Sequence, residues 1–208
     1  MNGKITKIQV QVKNKNRCSI FLDDKFAFGV YLKTLDVYEL SSGTVLSEDK
    51  VNEILDYDGN LYCFNQGLKL LSFSSKSEKM LRDKLIEKEF TKDQVSYALE
   101  KLKELGYVDD YYFAENFIEN RKKRYGAQRL KNELYHRGIS REIADQVLSE
   151  NTDESEEIAT AIKNSRSKWE RYKEDPKGYE KMCNFLYRRG YKYDLIKKVI
   201  DELRNELN

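Results

Sequence analysis

Arg121, Lys122, Lys123 and Arg124 form an unbroken cationic run. Arg129, Lys131, Arg137 and Arg141 follow, so the stretch from Glu119 to Arg141 holds eight Lys/Arg and two acids. Cations at this density release condensed counterions when they meet phosphates, and the affinity they give is salt-sensitive and tolerant of base sequence. Tyr125 and Tyr135 lie among them and could stack on bases. A second group comprises Lys181, Arg188, Arg189, Lys192, Lys197 and Lys198, within a stretch from Lys163 to Lys198 that carries twelve Lys/Arg and five acids. Arg188 and Arg189 could instead pair with Asp194 or nearby glutamates. Both groups also read as plain solvated helix surface. Between them, Glu142 to Glu157 carries seven acids and no Lys or Arg, a pattern that the net charge of +2 conceals. Local fields of this kind govern partner choice more than the total does.

Candidates for catalysis are sparse. His136 is the sole histidine, beside a helix end where a cation suits the helix dipole. Asp109 and Asp110 are adjacent carboxylates at a helix start, the pattern of a cap and dipole partner rather than an acid–base pair. Trp169 reads as a core anchor, and Tyr107, Tyr111 and Tyr112 as packing at a junction. Cys18, Cys63 and Cys183 are odd in number and far apart, which argues against a disulfide framework and a zinc site. No phosphate-binding Gly-x-x-x-x-Gly-Lys-Ser/Thr, dinucleotide-binding Gly-x-Gly-x-x-Gly or nucleophile-elbow Gly-x-Ser-x-Gly occurs. The expectation is a non-enzymatic protein with no catalytic residues, metal or cofactor.

The elements that must position the cations are mostly helical. The first sixty residues are the exception and read as a small β-rich domain, residues 1–60. Ile5, Ile8, Val10 and Val12 partly alternate. Cys18 to Leu22 and Phe26 to Tyr31 flank Asp23-Asp24-Lys25 as a hairpin. A short helix from about Leu32 to Leu40 breaks at Ser41-Ser42-Gly43, and another opens at Ser47 and runs to about Tyr57.

From Leu61 onward the period is helical and a repeat emerges. Leu81, Leu85, Lys88, Phe90, Thr91 and Leu99 match Leu130, Leu134, Arg137, Ile139, Ser140 and Leu148 at a shift of 49, and a further shift of 52 reaches Met182, Leu186, Arg189, Tyr191 and Ile200. Each copy reads as helix, break, a helix with apolar residues four apart, a turn and a third helix. Gly138 and Gly190 suit the left-handed end of a helix, with Ile139 or Tyr191 packing back, and Thr91 and Ser140 suit the next cap. Glu89 stands where the other copies have glycine, so that turn must be strained or built differently. The copies divide as 61–109, 110–152 and 153–208. The polar stretch Glu150 to Glu156 joins the last two, and the third carries a longer loop, Lys173 to Gly178, with the only proline, Pro176.

No run approaches the roughly 18 apolar residues that span a bilayer, and Met1 to Val12 lacks an apolar signal core. The expectation is a reduced, cytoplasmic protein without membrane contact.

The segment Leu102 to Glu115, Leu-Lys-Glu-Leu-Gly-Tyr-Val-Asp-Asp-Tyr-Tyr-Phe-Ala-Glu, resembles the repeat junction of the RecX family, the bacterial modulators of the RecA recombinase. Arg129 to Ile139 resembles that family's second repeat. Lys168-Trp169, then Asn184 to Tyr191 and Asp194, resembles its third. The likeness covers about residues 61–203, and the β-rich part is similar to the extension of longer Gram-positive members. The resemblance implies a mainly α fold: an elongated, crescent-like tandem array of three three-helix repeats behind the small β-rich domain. It also implies a regulator of DNA repair, recombination and the SOS response. Such a regulator lies along the groove of a RecA nucleoprotein filament on single-stranded, and also double-stranded, DNA and restrains ATP turnover and strand exchange. A monomer is expected, because repeats can stack on one another. The alternative is a stand-alone DNA-binding protein using its triplets as helix-turn-helix modules. Tight sequence-selective binding without RecA would mark that alternative.

Overall fold

The computed structural model describes residues 1–206. Two compact units are present, residues 1–74 with 81–107, and residues 75–80 with the chain from 108 onward. The fold is mainly α, with three three-helix groups behind a small antiparallel sheet.

In the first unit, β1 (Gly3–Val10), β2 (Arg17–Leu22), β3 (Lys25–Tyr31) and β4 (Val45–Leu46) form a sheet of order β3-β2-β1-β4. Asp23 and Asp24 both take positive φ, 46° and 63°, the two-residue primed turn whose twist matches a hairpin. Lys25 therefore belongs to β3, paired with Leu22. Alternation places Cys18, Ile20 and Leu22 inside with Ile5, Phe28 and Val30, where α1 (Leu32–Val37) and α2 (Glu48–Phe73) close the core. Ser47 caps α2 by accepting from Lys50 N. The helix does not stop near Tyr57. It runs on to Phe73, across residue 60. Buried Asp58 explains the continuity. It accepts from Tyr31 N at 2.7 Å, Thr34 Oγ1 at 2.7 Å and Arg17 Nη2 at 3.0 Å, tying α2 to the sheet edge. Farther along, Gly67 lets Leu102 of α4 (Lys92–Glu104) approach so closely that a Cβ would lie 2.7 Å from Leu102 Cδ1. Leu81 and Leu85 of α3 (Glu78–Ile86) and Val95, Ala98, Leu99 and Leu102 of α4 are buried.

The second unit holds α5 (Asp110–Glu119), α6 (Ala127–His136) and α7 (Arg141–Asn151), then α8 (Glu154–Tyr172), α9 (Gly178–Arg188) and α10 (Tyr193–Glu206). Leu130, Leu134, Ala144, Val147 and Leu148 pack with Phe113, Ala114 and Ile118. The third group repeats this with Met182, Leu186, Ile196, Val199 and Ile200 around Ala161, Ile162 and Trp169. Trp169 is thus a core anchor, as its sequence setting suggested.

Two helix starts in this unit seat on two left-handed turns. The Ser77 hydroxyl donates to Arg137 O, and a Cβ on Gly138 would overlap the Lys79 side chain. Gly126 N donates to Arg189 O at 2.9 Å and Gln128 N to Gly190 O at 3.1 Å, and a Cβ on Gly190 would overlap Arg129. Each start is also capped by a carboxylate from a later helix. Asp110 Oδ1 accepts from Glu78 N at 2.7 Å, and Glu157 Oε1 accepts from Ala127 N at 2.8 Å. Gly126 has no side chain to cap α6, so Glu157 supplies the acceptor that the helix dipole favours. Of the acidic pair read as a cap, Asp109 caps α5 by accepting from Tyr112 N, whereas Asp110 serves α3.

The turn at Glu89 is strained, not rebuilt. Its φ is +67°, beside +83° at Gly138 and +89° at Gly190. Glu89 N reaches Ile86 O and Phe90 N reaches Leu85 O, the same two bonds that Gly138 and Ile139 make. Glycine at 138 and 190 meets two demands, the left-handed backbone and the close approach of a neighbour. Glu89 is exposed and meets only the first.

A left-handed L-residue costs about 1–2 kcal/mol, and glycine gives back about 0.5–1 kcal/mol through the freedom of its unfolded chain. Glu89→Gly is therefore expected to raise stability by up to about 1 kcal/mol, whereas Gly138→Ala loses about 2 kcal/mol or more because Lys79 stands in the way. Urea unfolding of both variants checks this, and a destabilised Glu89→Gly would contradict it.

A second expectation concerns Glu157, whose pKa burial raises above the ordinary glutamate value despite the Ala127 amide and the attraction of Lys192. A carboxyl with a raised folded pKa contributes stability at low pH that is lost as pH climbs through that pKa. Glu157→Gln keeps an acceptor for Ala127 N and removes the titration. Its stability relative to the parent is expected to rise from about pH 4 to about pH 7, the span around an ordinary glutamate pKa and above. A relative stability that falls over that span would contradict the assignment.

Candidate polyanion-binding surface

The surface is built on α6, whose apolar face carries Leu130 and Leu134 into the core. Beside that face, one residue ahead of each leucine, Arg129 and Glu133 form a stripe that the C-cap residue Arg137 continues, each four residues from the last. Glu133 gathers three guanidinium groups. Arg129 Nε lies 3.1 Å from Oε1, Arg121 Nη1 lies 3.1 Å from Oε2, and Arg137 Nη1 lies 3.5 Å from Oε2. Arg137 also donates to Glu133 O at 2.8 Å. The Glu133 side chain is only 20% exposed, whereas those of Arg121 and Arg129 are 41% and 40% exposed and face water; Arg137, at 28%, is the more covered of the three cations.

Aromatic rings support the cluster from beneath. Arg121 and Arg137 lie over Phe117, 4.7 Å and 4.5 Å from its centroid, and Phe117 stacks on Phe113. Arg129 lies over Tyr125 at 3.9 Å, and Lys131 over Tyr135 at 5.8 Å. Tyr125 and Tyr135 thus present ring faces to their own cations, an arrangement that favours backbone recognition over base stacking.

The remaining cations of the first block diverge. Lys122 turns to Glu119 and donates to Asn151 O. Lys131 pairs with Asp145, which raises its pKa. The Lys123 and Arg124 side chains are exposed, while their carbonyls accept from Asn164 and Arg189. Arg141 is exposed at the first position of α7.

The second block is spread over α9 and α10. Lys181 pairs with Asp175, and Lys198 with Glu154. Arg188 and Lys192 are exposed, and Lys197 lies over Tyr193. Arg189 does not pair with Asp194. Its guanidinium lies over Phe185 at 4.7 Å and donates to Arg124 O at 3.2 Å. Arg129 Nη1 reaches Arg188 O at 3.4 Å, which brings the two blocks together at one point.

Two of the three thiols are buried. Burial raises the Cys18 pKa and pushes the Cys63 thiol up to about 12, so neither is an available thiolate. His136 is exposed at the end of α6. No group of three or more His, Cys, Asp or Glu among the described residues could hold a metal ion. No helix among them is long and apolar enough to cross a membrane. Tyr111 packs by donating to Glu150, while Tyr107 and Tyr112 are exposed rather than buried at a junction. Glu133 was the residue that composition alone passed over. Its spacing from Arg129 and Arg137 was legible, but nothing in the sequence announced that Arg121 would join it.

Comparison with known proteins matches each part of the fold. The family model for the regulatory protein RecX N-terminal domain matches residues 3–47, and the models for the first, second and third RecX three-helix domains match residues 63–102, 109–148 and 154–200. The regulatory protein RecX of Clostridium perfringens (strain SM101) is 32% identical over 207 residues, 98% of this chain and 97% of that protein. That of Listeria monocytogenes serotype 4b (strain CLIP80459) is 34% identical over 209 residues, 99% of this chain and 77% of that one. A crystal structure of regulatory protein RecX superposes with a TM-score of 0.80 at 26% identity, covering 97% of this chain and 100% of its own. RecX from Lactobacillus salivarius superposes with a TM-score of 0.67 at 25% identity, over 71% of this chain and 98% of its own. A strand-rich start and three successive triplets, matched in order along the length, place this chain in the RecX family of regulatory proteins.

Proposed function

We propose that this protein regulates RecA by docking, as a monomer, on the RecA–DNA filament in the cytoplasm and restraining ATP turnover and strand exchange. Membership of the RecX family supplies the partner. The observation that carries the polyanion half of the reading is the gathering of Arg121, Arg129 and Arg137 on Glu133, with Arg121 and Arg129 facing water. A surface of this kind binds phosphates without reading bases. Lys123, Arg124, Arg141, Arg188, Lys192 and Lys197 add exposed charge elsewhere on the same unit.

The stand-alone helix-turn-helix reading has less support. In that reading the basic block from Arg129 to Arg141 would face a groove or the backbone, yet Arg129 and Arg137 share Glu133, Lys131 pairs with Asp145, and α7, the third helix of the triplet, carries Glu142, Asp145 and Glu150 beside Arg141 as its one cation. An acidic helix is repelled by the duplex it would have to enter.

The deciding experiment titrates the protein into a RecA–single-stranded DNA ATPase assay. Turnover is expected to fall as the protein is added. Undiminished turnover at a several-fold excess over filament would overturn the proposal. The triple variant Arg121→Gln, Lys123→Gln, Arg124→Gln is expected to need about tenfold more protein for the same effect, because fewer phosphates are neutralised. Its stability is expected to stay within about 1 kcal/mol of the parent, since these side chains lie at the surface. Leu134→Ala, by contrast, empties a fully buried position and costs about 2–5 kcal/mol.

A further inference from the structure

The cations of this protein are not equivalent, and the difference assigns them different work. Lys122, Lys131, Lys181 and Lys198 each face a single acid, the ordinary state of a surface lysine. Only around Glu133, among the described ion pairs, do three guanidinium groups share one carboxylate. At the matching position of the third triplet, 52 residues on, stands Phe185, and Arg189 lies over it with no carboxylate between. At the matching position of the first, 49 residues back, stands Lys84, which pairs with Glu87.

A guanidinium has five donors in a fixed fork. Toward protein partners Arg121 turns Nη1, Arg129 its Nε and Nη1, and Arg137 its Nη1. Donors remain on every fork. Phe117 fixes the planes of Arg121 and Arg137 from below, and Tyr125 that of Arg129. Three guanidiniums this close would repel one another and splay without a counter-charge. Glu133 cancels one of the three charges and leaves a surplus of two, held in place.

We propose that Arg121, Arg129 and Arg137 form a subsite for a backbone phosphate of single-stranded DNA, with Glu133 as the positioning residue that holds the forks ready. The inference rests on the reading of this protein as a filament regulator that meets a polyanion. Phosphate is favoured over the carboxylates of an acidic protein surface because Glu133 already fills the planar carboxylate position between the forks, and tetrahedrally disposed phosphate oxygens can accept from the donors left on more than one fork. Glu133 itself, planar and shared, reaches Arg137 only at 3.5 Å.

Two variants of the full chain test this against a labelled oligo-dT, with fluorescence anisotropy read across a salt series. Glu133→Gln adds one positive charge, so charge counting alone expects tighter binding. A positioning role expects binding about fivefold weaker and a shallower salt slope, lower by about 0.7 for each single-strand phosphate that is no longer neutralised. Arg137→Lys keeps the charge and removes the fork, and is expected to weaken binding about threefold or more. A Glu133→Gln variant that binds as tightly as the parent or tighter, with an undiminished slope, overturns the proposal. So does an Arg137→Lys variant that binds like the parent, and this second arm stands even where Glu133→Gln fails to fold. A parent that binds polyglutamate but not oligo-dT overturns the phosphate subsite. ATPase inhibition by that same parent would leave the regulatory reading intact.

Discussion

The architecture of the second unit depends on helix starts lying against left-handed turns. The first N–H groups of an α-helix have no partner within the helix, and a buried start must find acceptors elsewhere. Here they are a turn carbonyl and a carboxylate, and the turn residue is glycine because a Cβ would occupy the neighbour's space. At the Gly190 turn backbone groups make the contact, whereas at the Gly138 turn the Ser77 hydroxyl makes it. The contact at Gly190 also fixes α6. Arg129 is the residue that touches Gly190, and Glu133 and Arg137 follow it one and two turns on. The charged cluster therefore inherits its position from the joint.

The electrostatic pattern follows from the same placement. Acids from Glu142 to Glu157 are drawn into capping and pairing: Asp145 to Lys131, Glu150 to Tyr111, Asp153 to the start of α8, Glu154 to Lys198 and Glu157 to Ala127. They make these contacts within the fold, Asp145 and Glu154 while staying in water at 48% and 64% exposed. Many cations rest on rings and stay partly in water. A net charge near zero thus coexists with a surface that is locally strongly positive.

Much of this was legible in the residues. Leucines four apart, the caps Thr91 and Ser140, the glycines at 138 and 190 and the Asp-Asp hairpin each have a local cause, and local causes read from sequence. The failures share the opposite property. The full length of α2 depends on Asp58 meeting Tyr31, Thr34 and Arg17, residues 24 to 41 positions away. Asp110 caps a helix 32 residues before it rather than its own. Arg189 turns to Arg124 O, 65 positions back, instead of to the nearby Asp194. Composition marked the cations as a population, but the carboxylate that organises three of them was hidden by being an acid in a basic block.

Glu89 has one more implication. The Gly138 and Gly190 turns each receive a helix start, and the exposed turn at 89 carries a side chain where that start would have to lie. A helix start could seat on this turn as on the other two only if glycine stood at position 89, so the stacking seam has an acceptor turn in the second and third triplets and none of that kind in the first.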